Sequence, residues 1–269
     1  MKNSMTQVYK RQQQILQQLN ERQTVQTKDL AVLLRVSELT IRRDLQILED
    51  QGFIRCIRGG ANLISGSLQE DPSLSASASR RQSCKEAIAR QAALLVEDGD
   101  TILINSSTTA IMMLPYIQGK RVIVVTNNSH ALSFQLDPRI ELIFTGGEVY
   151  EHKKSMVGEV ARHNLERISA SKVFLGVSGI SHRGITTSVL QETAINALMI
   201  KRAPGRCIVL ADNSKIGNQH NFTIGPISLV NTLITDSAAD PGELYLLREQ
   251  GVEVIIADSR TDMKRSGNT

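Results

Sequence analysis

Ser37-Glu38-Leu39-Thr40-Ile41-Arg42-Arg43-Asp44-Leu45, continuing as Gln46-Ile47-Leu48-Glu49-Asp50-Gln51-Gly52, is the stretch on which the reading of this chain turns. At 100° per residue, Ile41, Leu45 and Leu48 fall on one face, the pattern of a helix laid on a small core. Ser37 is suited to cap its N-terminus, and Gly52 to follow its C-terminus in the left-handed conformation. The opposite face shows Leu39, Arg43 and Gln46, flanked by Thr40, Arg42 and Ile47. Asp44 lies toward the core side, which suits an ion-pair or capping partner. Two adjacent outward arginines suit a polyanion, although taken alone an ordinary amphipathic surface helix is the simpler reading. The flanking sequence decides between them.

Upstream, Val8, Ile15, Leu16 and Leu19 recur through residues 7–20 as the apolar face of a first helix should. Val25 marks a short extended piece. Thr27 is expected to cap a second helix over 28–34 that turns Leu30, Leu33 and Leu34 inward. Downstream, Phe53-Ile54-Arg55-Cys56-Ile57-Arg58 partly alternates and closes on Gly59-Gly60, which reads as a hairpin. Three short helices and a basic hairpin make a winged helix-turn-helix with the opening stretch as its recognition helix. Ser37, Leu39, Thr40, Arg42, Arg43 and Gln46 then form the face offered to double-stranded DNA. The arginines suit guanine edges or phosphates, Thr40 and Gln46 polar contacts, and Leu39 a thymine methyl. Lys28, Arg55 and Arg58 suit the phosphate backbone, whose neutralisation makes binding salt-dependent.

The charge balance agrees. The chain has 269 residues and a net charge of +4. Residues 1–60 hold ten Lys/Arg against six Asp/Glu, which leaves 21 of each sign in residues 61–269. The whole excess sits in the N-terminal fifth, as expected of a nucleic-acid-binding head on a neutral body. Cys56, Cys84 and Cys207 are odd in number and far apart, so neither a disulfide framework nor a zinc site is indicated. The N-terminus is polar and no run approaches 18 apolar residues, which points to a cytoplasmic protein without a membrane segment.

Residues 1–61 are therefore read as the head, 62–84 (rich in Ser and Ala) as a partly flexible linker, 85–258 as a body, and 259–269 as a disordered tail. A helix is expected over 85–96, with Ile88, Ala92, Leu95 and Val96 inward. The body then alternates apolar strands with helices. Strands are expected at 101–105, 122–126, 140–145, 172–177, 207–211, 233–235 and 252–257, and helices at 108–117, 129–136, 159–165, 192–203 and 241–250. Continuous apolar strands are those of a buried parallel sheet, so the fold class is α/β, with ligands beyond the carboxyl ends of the strands. Those ends are polar and small: Asn105-Ser106-Ser107-Thr108-Thr109, Thr126-Asn127, Gly146-Gly147, Ser178-Gly179, Asp212-Asn213-Ser214-Lys215 and Asp236. Hydroxyls and free N–H groups at a helix start favour an anion. Lys215 and Lys85 would add charge for a phosphate, and Gly146 and Gly147 would let backbone approach a ligand. Taken singly, each is what strand-to-helix loops usually contain. Six on one edge suggest a small phosphorylated polyol or sugar, with no cofactor or metal required.

These residues also carry a resemblance. Arg11-x3-Ile15-x3-Leu19, the block Ser37-x2-Thr40-Ile41-Arg42-Arg43-Asp44-Leu45, and Arg58-Gly59-Gly60-Ala61 resemble the DNA-binding signature of DeoR-type bacterial repressors. Thr126-Asn127, Thr145-Gly146-Gly147, Val157-Gly158, Phe174-Leu175-Gly176, Asp212-x-Ser214-Lys215 and Thr235-Asp236 are similar to motifs of their effector domain. The resemblance covers nearly the whole chain. It implies a body similar in fold to ribose-5-phosphate isomerases, and a regulator of sugar catabolism, usually a repressor, released from its operator by a phosphorylated sugar. Members commonly carry Asp-Ser-Gly-Thr-Thr where this chain reads Asn105-Ser106-Ser107-Thr108-Thr109. That removes a carboxylate beside the expected phosphate and adds a side chain at position 107.

A sugar-phosphate isomerase with an accessory DNA-binding head is the principal alternative. It needs a carboxylate base, for which Glu192 and Asp212 are the candidates. The five histidines, His130, His152, His163, His182 and His220, lack metal or triad spacing and are read as solvated surface residues. A basic head is superfluous to an isomerase, so a non-enzymatic regulator is expected. A purely architectural DNA-binding protein is disfavoured by the large neutral body. Helix-turn-helix readers usually bind as dimers, so a homo-oligomer is expected.

Overall fold

A computed structural model describes residues 5–22, 24–50, 54–57, 59–63, 72–150 and 153–258, and divides the chain into two compact units, Met1–Ala76 and Ser77–Thr269. The first contains α1 (Met5–Arg22), β1 (Thr24–Gln26), α2 (Thr27–Leu33), α3 (Glu38–Asp50), β2 (Ile54–Ile57) and β3 (Gly60–Leu63). The strands form an antiparallel sheet in the order β1-β3-β2. Ile15, Leu19, Leu30, Ile41, Leu45, Leu48, Ile54 and Ala61 make one small core, as the apolar spacing predicts.

Asp44 accepts a two-pronged ion pair from Arg11, with Nε–Oδ2 at 2.5 Å and Nη2–Oδ1 at 3.2 Å. Both residues are buried, so the one acidic group on the inner flank of α3 ties α1 to α3. Two local expectations fail. Thr27 is the first residue of α2 rather than its cap; Gln26 holds the cap position without a side-chain bond, and Thr27 donates its N–H to the Gly59 carbonyl. Leu33 is 55% exposed, because it lies in the last turn of a seven-residue helix, to one side of the buried Leu30. Gly52, Arg58, His152 and the tail from 259 lie outside the described residues.

The helix α4 (Pro72–Leu94) begins well before the expected residue 85. Thirteen residues of the expected linker, 72–84, are therefore helical. Alanine is the best helix former and proline suits a first turn, so this Ser/Ala-rich stretch needs no strong apolar periodicity to be helical.

The body continues through β4 (Thr101–Ile104), α5 (Thr108–Ile111), β5 (Val122–Thr126), β6 (Ile140–Phe144), β7 (Glu148–Tyr150), β8 (Ser155–Val157), α6 (Gly158–Glu166), β9 (Lys172–Gly176), β10 (Gly179–Ser181), β11 (Gly184–Thr187), α7 (Leu190–Arg202), β12 (Cys207–Leu210), β13 (Phe222–Gly225), β14 (Thr232–Asp236), α8 (Pro241–Glu249) and β15 (Glu253–Ala257). Seven strands form one sheet in the order β15-β14-β12-β9-β4-β5-β6, with every neighbouring pair parallel. Ile102, Ile104, Val124, Phe174 and Leu210 pack on one face with Ile88 and Ala92 of α4 and with α5. Leu103, Val125, Val173, Leu175 and Val209 pack on the other with α6, α7 and α8. Strands covered on both sides are apolar at their centres, which explains the unbroken runs in the sequence.

The amino-terminal edge of the sheet is locked by charge. Lys172 Nζ lies 2.6 Å from Asp100 and 3.0 Å from Glu97. Burial pushes the Asp100 carboxyl up, but hydrogen bonds from Lys172, the Glu97 N–H and Ser171 outweigh it and hold the group below its ordinary value. Five strands escaped the sequence reading: β7 and β8 form a hairpin, and β10, β11 and β13 a small antiparallel sheet. The expected helix over 108–117 is one α-turn followed by a short 3-10 turn at 114–116, and that over 129–136 is a 3-10 segment.

Candidate functional site

On the head, α3 presents what its periodicity requires. Leu39 is 62% exposed, and Arg42, Arg43, Gln46 and Ile47 also face solvent, while Ile41, Leu45 and Leu48 are buried. Arg43 has no hydrogen-bond or ion-pair partner among the described residues. Arg42 makes only a loose contact with Glu38, at 3.8 Å between exposed groups, of the kind worth little in water. Ser37 Oγ accepts from the Thr40 N–H at 3.2 Å and lies 2.9 Å from Thr40 Oγ1. The helix start is thus capped as expected, and the two hydroxyls form one polar unit. Lys28 is exposed in the first turn of α2, and Arg55 is half-buried on β2.

The strand ends of the body come together because the sheet is parallel. β4 leads on to β5 on one side and β9 to β12 on the other, so the sheet reverses its winding between β4 and β9. A crevice at the carboxyl ends is where such sheets take ligands. Asn105, Ser106 and Ser107 follow β4, and Gly176 ends β9. Asn105 is buried with every side-chain atom engaged. Its amide donates to the Gly176 carbonyl (2.9 Å) and to Asn196 Oδ1 (3.2 Å), and its oxygen accepts from the N–H groups of Gly176 (3.0 Å) and Ser107 (3.3 Å). A carboxylate at this position has no hydrogen to donate to the Gly176 carbonyl. Asparagine is therefore the residue that this arrangement uses.

Ser106 Oγ donates to the buried Glu192 at 2.7 Å. Ser107 caps α5 by accepting from the Ala110 N–H. A Cβ on Gly176 would come within 2.2 Å of the Ser107 Cβ, so the serine at 107 stands in space that only glycine leaves open. Thr108 is exposed and Thr109 buried.

The remaining site residues divide. Thr126 and Asn127 are buried at the end of β5; Thr126 Oγ1 accepts from the Asn128 N–H, and Asn127 Nδ2 donates to the Met156 carbonyl at 3.1 Å. Asp212 caps the turn 213–215, accepting from the N–H and hydroxyl of Ser214. Lys215 and Lys85 are half-buried with no side-chain partner among the described residues. Gly147 has φ +104°, and an added Cβ would meet the Val157 carbonyl at 2.5 Å. Its openness therefore admits the protein's own β8 rather than a ligand, which corrects the expectation for that position. His182 is also not a free surface residue: its Nδ1 lies 3.0 Å from Glu243, which accepts the His182 N–H at 2.7 Å. Both carboxylates considered as catalytic bases are committed, Glu192 to Ser106 and Asp212 to Ser214.

Cys207 lies within the sheet core, where burial pushes its thiol up to about 12, so it is an inert packing residue. No described helix is long and apolar enough to cross a membrane.

Asn128 and Ser155 carry a signal that no sequence motif announced. Among the described residues, five buried side-chain atoms lack a hydrogen-bond partner, and three of them are Asn127 Oδ1, Asn128 Nδ2 and Ser155 Oγ.

Comparison with known proteins agrees with this geometry. Residues 80–237 match the profile of the DeoR C terminal sensor domain, and residues 11–67 that of the DeoR-like helix-turn-helix domain. The chain is 31% identical over 250 residues to a putative aga operon transcriptional repressor of Escherichia coli O157:H7, covering 91% of this chain and 93% of that protein. It is 31% identical over 233 residues to the lactose phosphotransferase system repressor of Streptococcus mutans, covering 86% and 92%. A ribose 5-phosphate isomerase from Methanocaldococcus jannaschii is a distant structural neighbour, with TM-score 0.35, 17% identity, and coverage of 49% of this chain and 52% of that one. With its helix-turn-helix head, its sensor body and both catalytic candidates held in internal hydrogen bonds, the chain belongs to the DeoR family of DNA-binding transcriptional regulators.

Proposed function

We propose that this protein is the repressor of a carbohydrate-catabolism operon, and that a phosphorylated sugar bound at the carboxyl edge of the body's sheet releases it from its operator. The observation that carries this reading is the winding reversal between β4 and β9, lined by Asn105, Ser106 and Ser107 and followed along the same edge by Thr126, Asn127, Asp212 and Lys215. Relatives named as repressors of the aga operon and of a lactose phosphotransferase system support the sugar assignment. Lys215 and Lys85 supply positive charge for the phosphate, Thr108 and Thr109 line the start of α5, and Gly146 shapes the site's far side.

On the head, Arg43, Arg42, Gln46 and Leu39 enter the major groove, Thr40 and Ser37 follow at the helix start, and Lys28, Arg55 and Arg58 hold phosphates. The protein works as a homo-oligomer in the cytoplasm, with two heads set for successive major grooves. A ligand that favours one pairing of the bodies over another changes the spacing of the heads and so the affinity for DNA.

The test is fluorescence anisotropy of a DNA fragment selected in vitro by the full-length protein, titrated at fixed salt with pentose and hexose phosphates. At least one is expected to release the DNA. Unchanged affinity across the series would remove the phosphorylated sugar as inducer.

A further inference from the structure

The three unpartnered atoms at the end of β5 lie in two neighbouring strand segments, joined by a backbone bridge between Asn128 and Ser155. Native proteins leave few buried polar atoms unsatisfied, and a cluster of three calls for a cause. Misassigned amide ends do not explain it. Asn127 Nδ2 is fixed by its donation to the Met156 carbonyl, and Asn128 Oδ1 by its acceptance from the His130 N–H at 3.0 Å. The free atoms are thus an amide oxygen (Asn127), an amide nitrogen (Asn128) and a hydroxyl (Ser155). One accepts, one donates and one does both, a set that complements neighbouring hydroxyl groups and not a bare anion, which only accepts.

All three residues are fully buried, so nothing reaches them while the residues above stay in place. Residues 154–156 are joined to the end of β5 by four hydrogen bonds and to β7 by the hairpin ladder, so they part from β5 as one arm of that hairpin. The Met156 N–H donates to the Asn127 carbonyl (2.7 Å), Asn127 Nδ2 to the Met156 carbonyl (3.1 Å), and the N–H and Oγ of Ser129 both to the Lys154 carbonyl (2.9 Å each). Lys154 itself holds φ +52°, a left-handed backbone that a lysine adopts only at a cost.

We propose that Asn127, Asn128 and Ser155 are the hydroxyl-recognising part of the effector site, reached when residues 154–156 separate from the end of β5. The inference rests on the reading that the body binds a sugar phosphate, and assigns the sugar's hydroxyls rather than its phosphate to this cluster. Polar atoms left unpaired in the free protein gain their first partners when the ligand enters, so they favour a polyol over an analogue lacking the hydroxyls.

The test is calorimetric titration of the full-length protein with pentose and hexose phosphates, the same sugars without phosphate, and inorganic phosphate. Two variants are compared. Ser155→Ala removes the hydroxyl, and Asn128→Asp keeps the oxygen that caps the 129–133 turn while removing the donor. Each is expected to weaken the best sugar phosphate roughly tenfold, the worth of about one hydrogen bond. Ser155→Ala should leave inorganic phosphate binding unchanged and should hold or raise the melting temperature of the free protein, since an unpaired buried hydroxyl is a cost to the fold. Sugar phosphate binding at wild-type strength in both variants overturns the inference and leaves the sugar-phosphate reading standing. A lowered melting temperature of free Ser155→Ala also overturns it, since the hydroxyl would then be a structural partner. Binding of unphosphorylated sugars alone, weakened by both variants, sustains the inference and removes the phosphate reading. No binding by any of the panel removes both.

Discussion

The head and the body of this protein place their functional groups in opposite ways. On α3, Leu39, Arg43 and Gln46 are the residues turned away from the core, and Arg43 is without a partner among the described residues. Around the end of β4 the polar residues are buried and engaged, Asn105 with Gly176 and Asn196, and Ser106 with Glu192. The difference follows from what each surface meets. DNA is a large polyanion that supplies partners for exposed cations, so its reader keeps long basic side chains in water until contact. A small ligand must be enclosed to be recognised, so its site is assembled from short polar side chains fixed by their neighbours. Substitutions on the exposed face of α3 should therefore weaken DNA binding without changing stability, whereas those among the bonded residues at the end of β4 should change stability as well.

The largest effect is expected at Arg11–Asp44. Asp44→Ala leaves a buried guanidinium unpaired, and removing one partner of a buried pair costs about 3–5 kcal/mol. A urea melt followed by circular dichroism should show the head unfolding earlier, with DNA binding lost as a consequence and ligand binding by the body retained. Gly176→Ala is next. The clash with Ser107 should cost about 1–3 kcal/mol, as overpacking does. Because the obstacle is the Ser107 side chain, the double variant Gly176→Ala/Ser107→Gly should recover most of the lost melting temperature. If it recovers none, the backbone rather than the side chain sets the limit.

Arg43→Ala offers the contrast. It should weaken specific DNA binding by about 1–3 kcal/mol, as loss of a good base contact does, with the melting temperature unchanged. A fall in stability of similar size would show that the exposed face of α3 is not free of the fold.

The smallest effect concerns acid. The Asp100 carboxyl is held below its ordinary value of 3.8 in the folded body. The stability it contributes is complete above that value and is lost as pH falls through the lower folded one. Melting temperatures should therefore drop more steeply below about pH 4 in the wild type than in Asp100→Asn, which carries no such titration. Equal slopes would assign the acid limb to other carboxylates.

The elements that were legible in the sequence are those whose pattern is imposed by burial. Strands β4, β5, β9, β12 and β14 have apolar centres because helices cover both faces of the sheet, and α3 repeats its apolar residues at helical spacing. What stayed hidden has short or polar sequence. Gly179-Ile180-Ser181 and Gly184-Ile185-Thr186-Thr187 pair as β10 and β11, yet three or four residues with a terminal glycine do not establish a period. The start of α4 looked like linker because serine and alanine give a helix no apolar stripe. In the site, the residue types at the strand ends were readable, but their relations were not. Whether Gly147 opens toward a ligand or toward β8 depends on a contact with Val157, ten residues away. That Asn128 Nδ2 and Ser155 Oγ lack partners depends on every atom around them.

The reading of a sugar-phosphate-responsive repressor is tested most directly by one titration of the full-length protein on its selected DNA fragment, comparing wild type with Ser155→Ala as a sugar phosphate is added. Wild type is expected to release the DNA, and Ser155→Ala to bind it equally well but to need roughly ten times more ligand for release, as loss of about one hydrogen bond to the sugar requires. DNA affinity indifferent to every sugar phosphate in the wild type would contradict the coupling of the two regions.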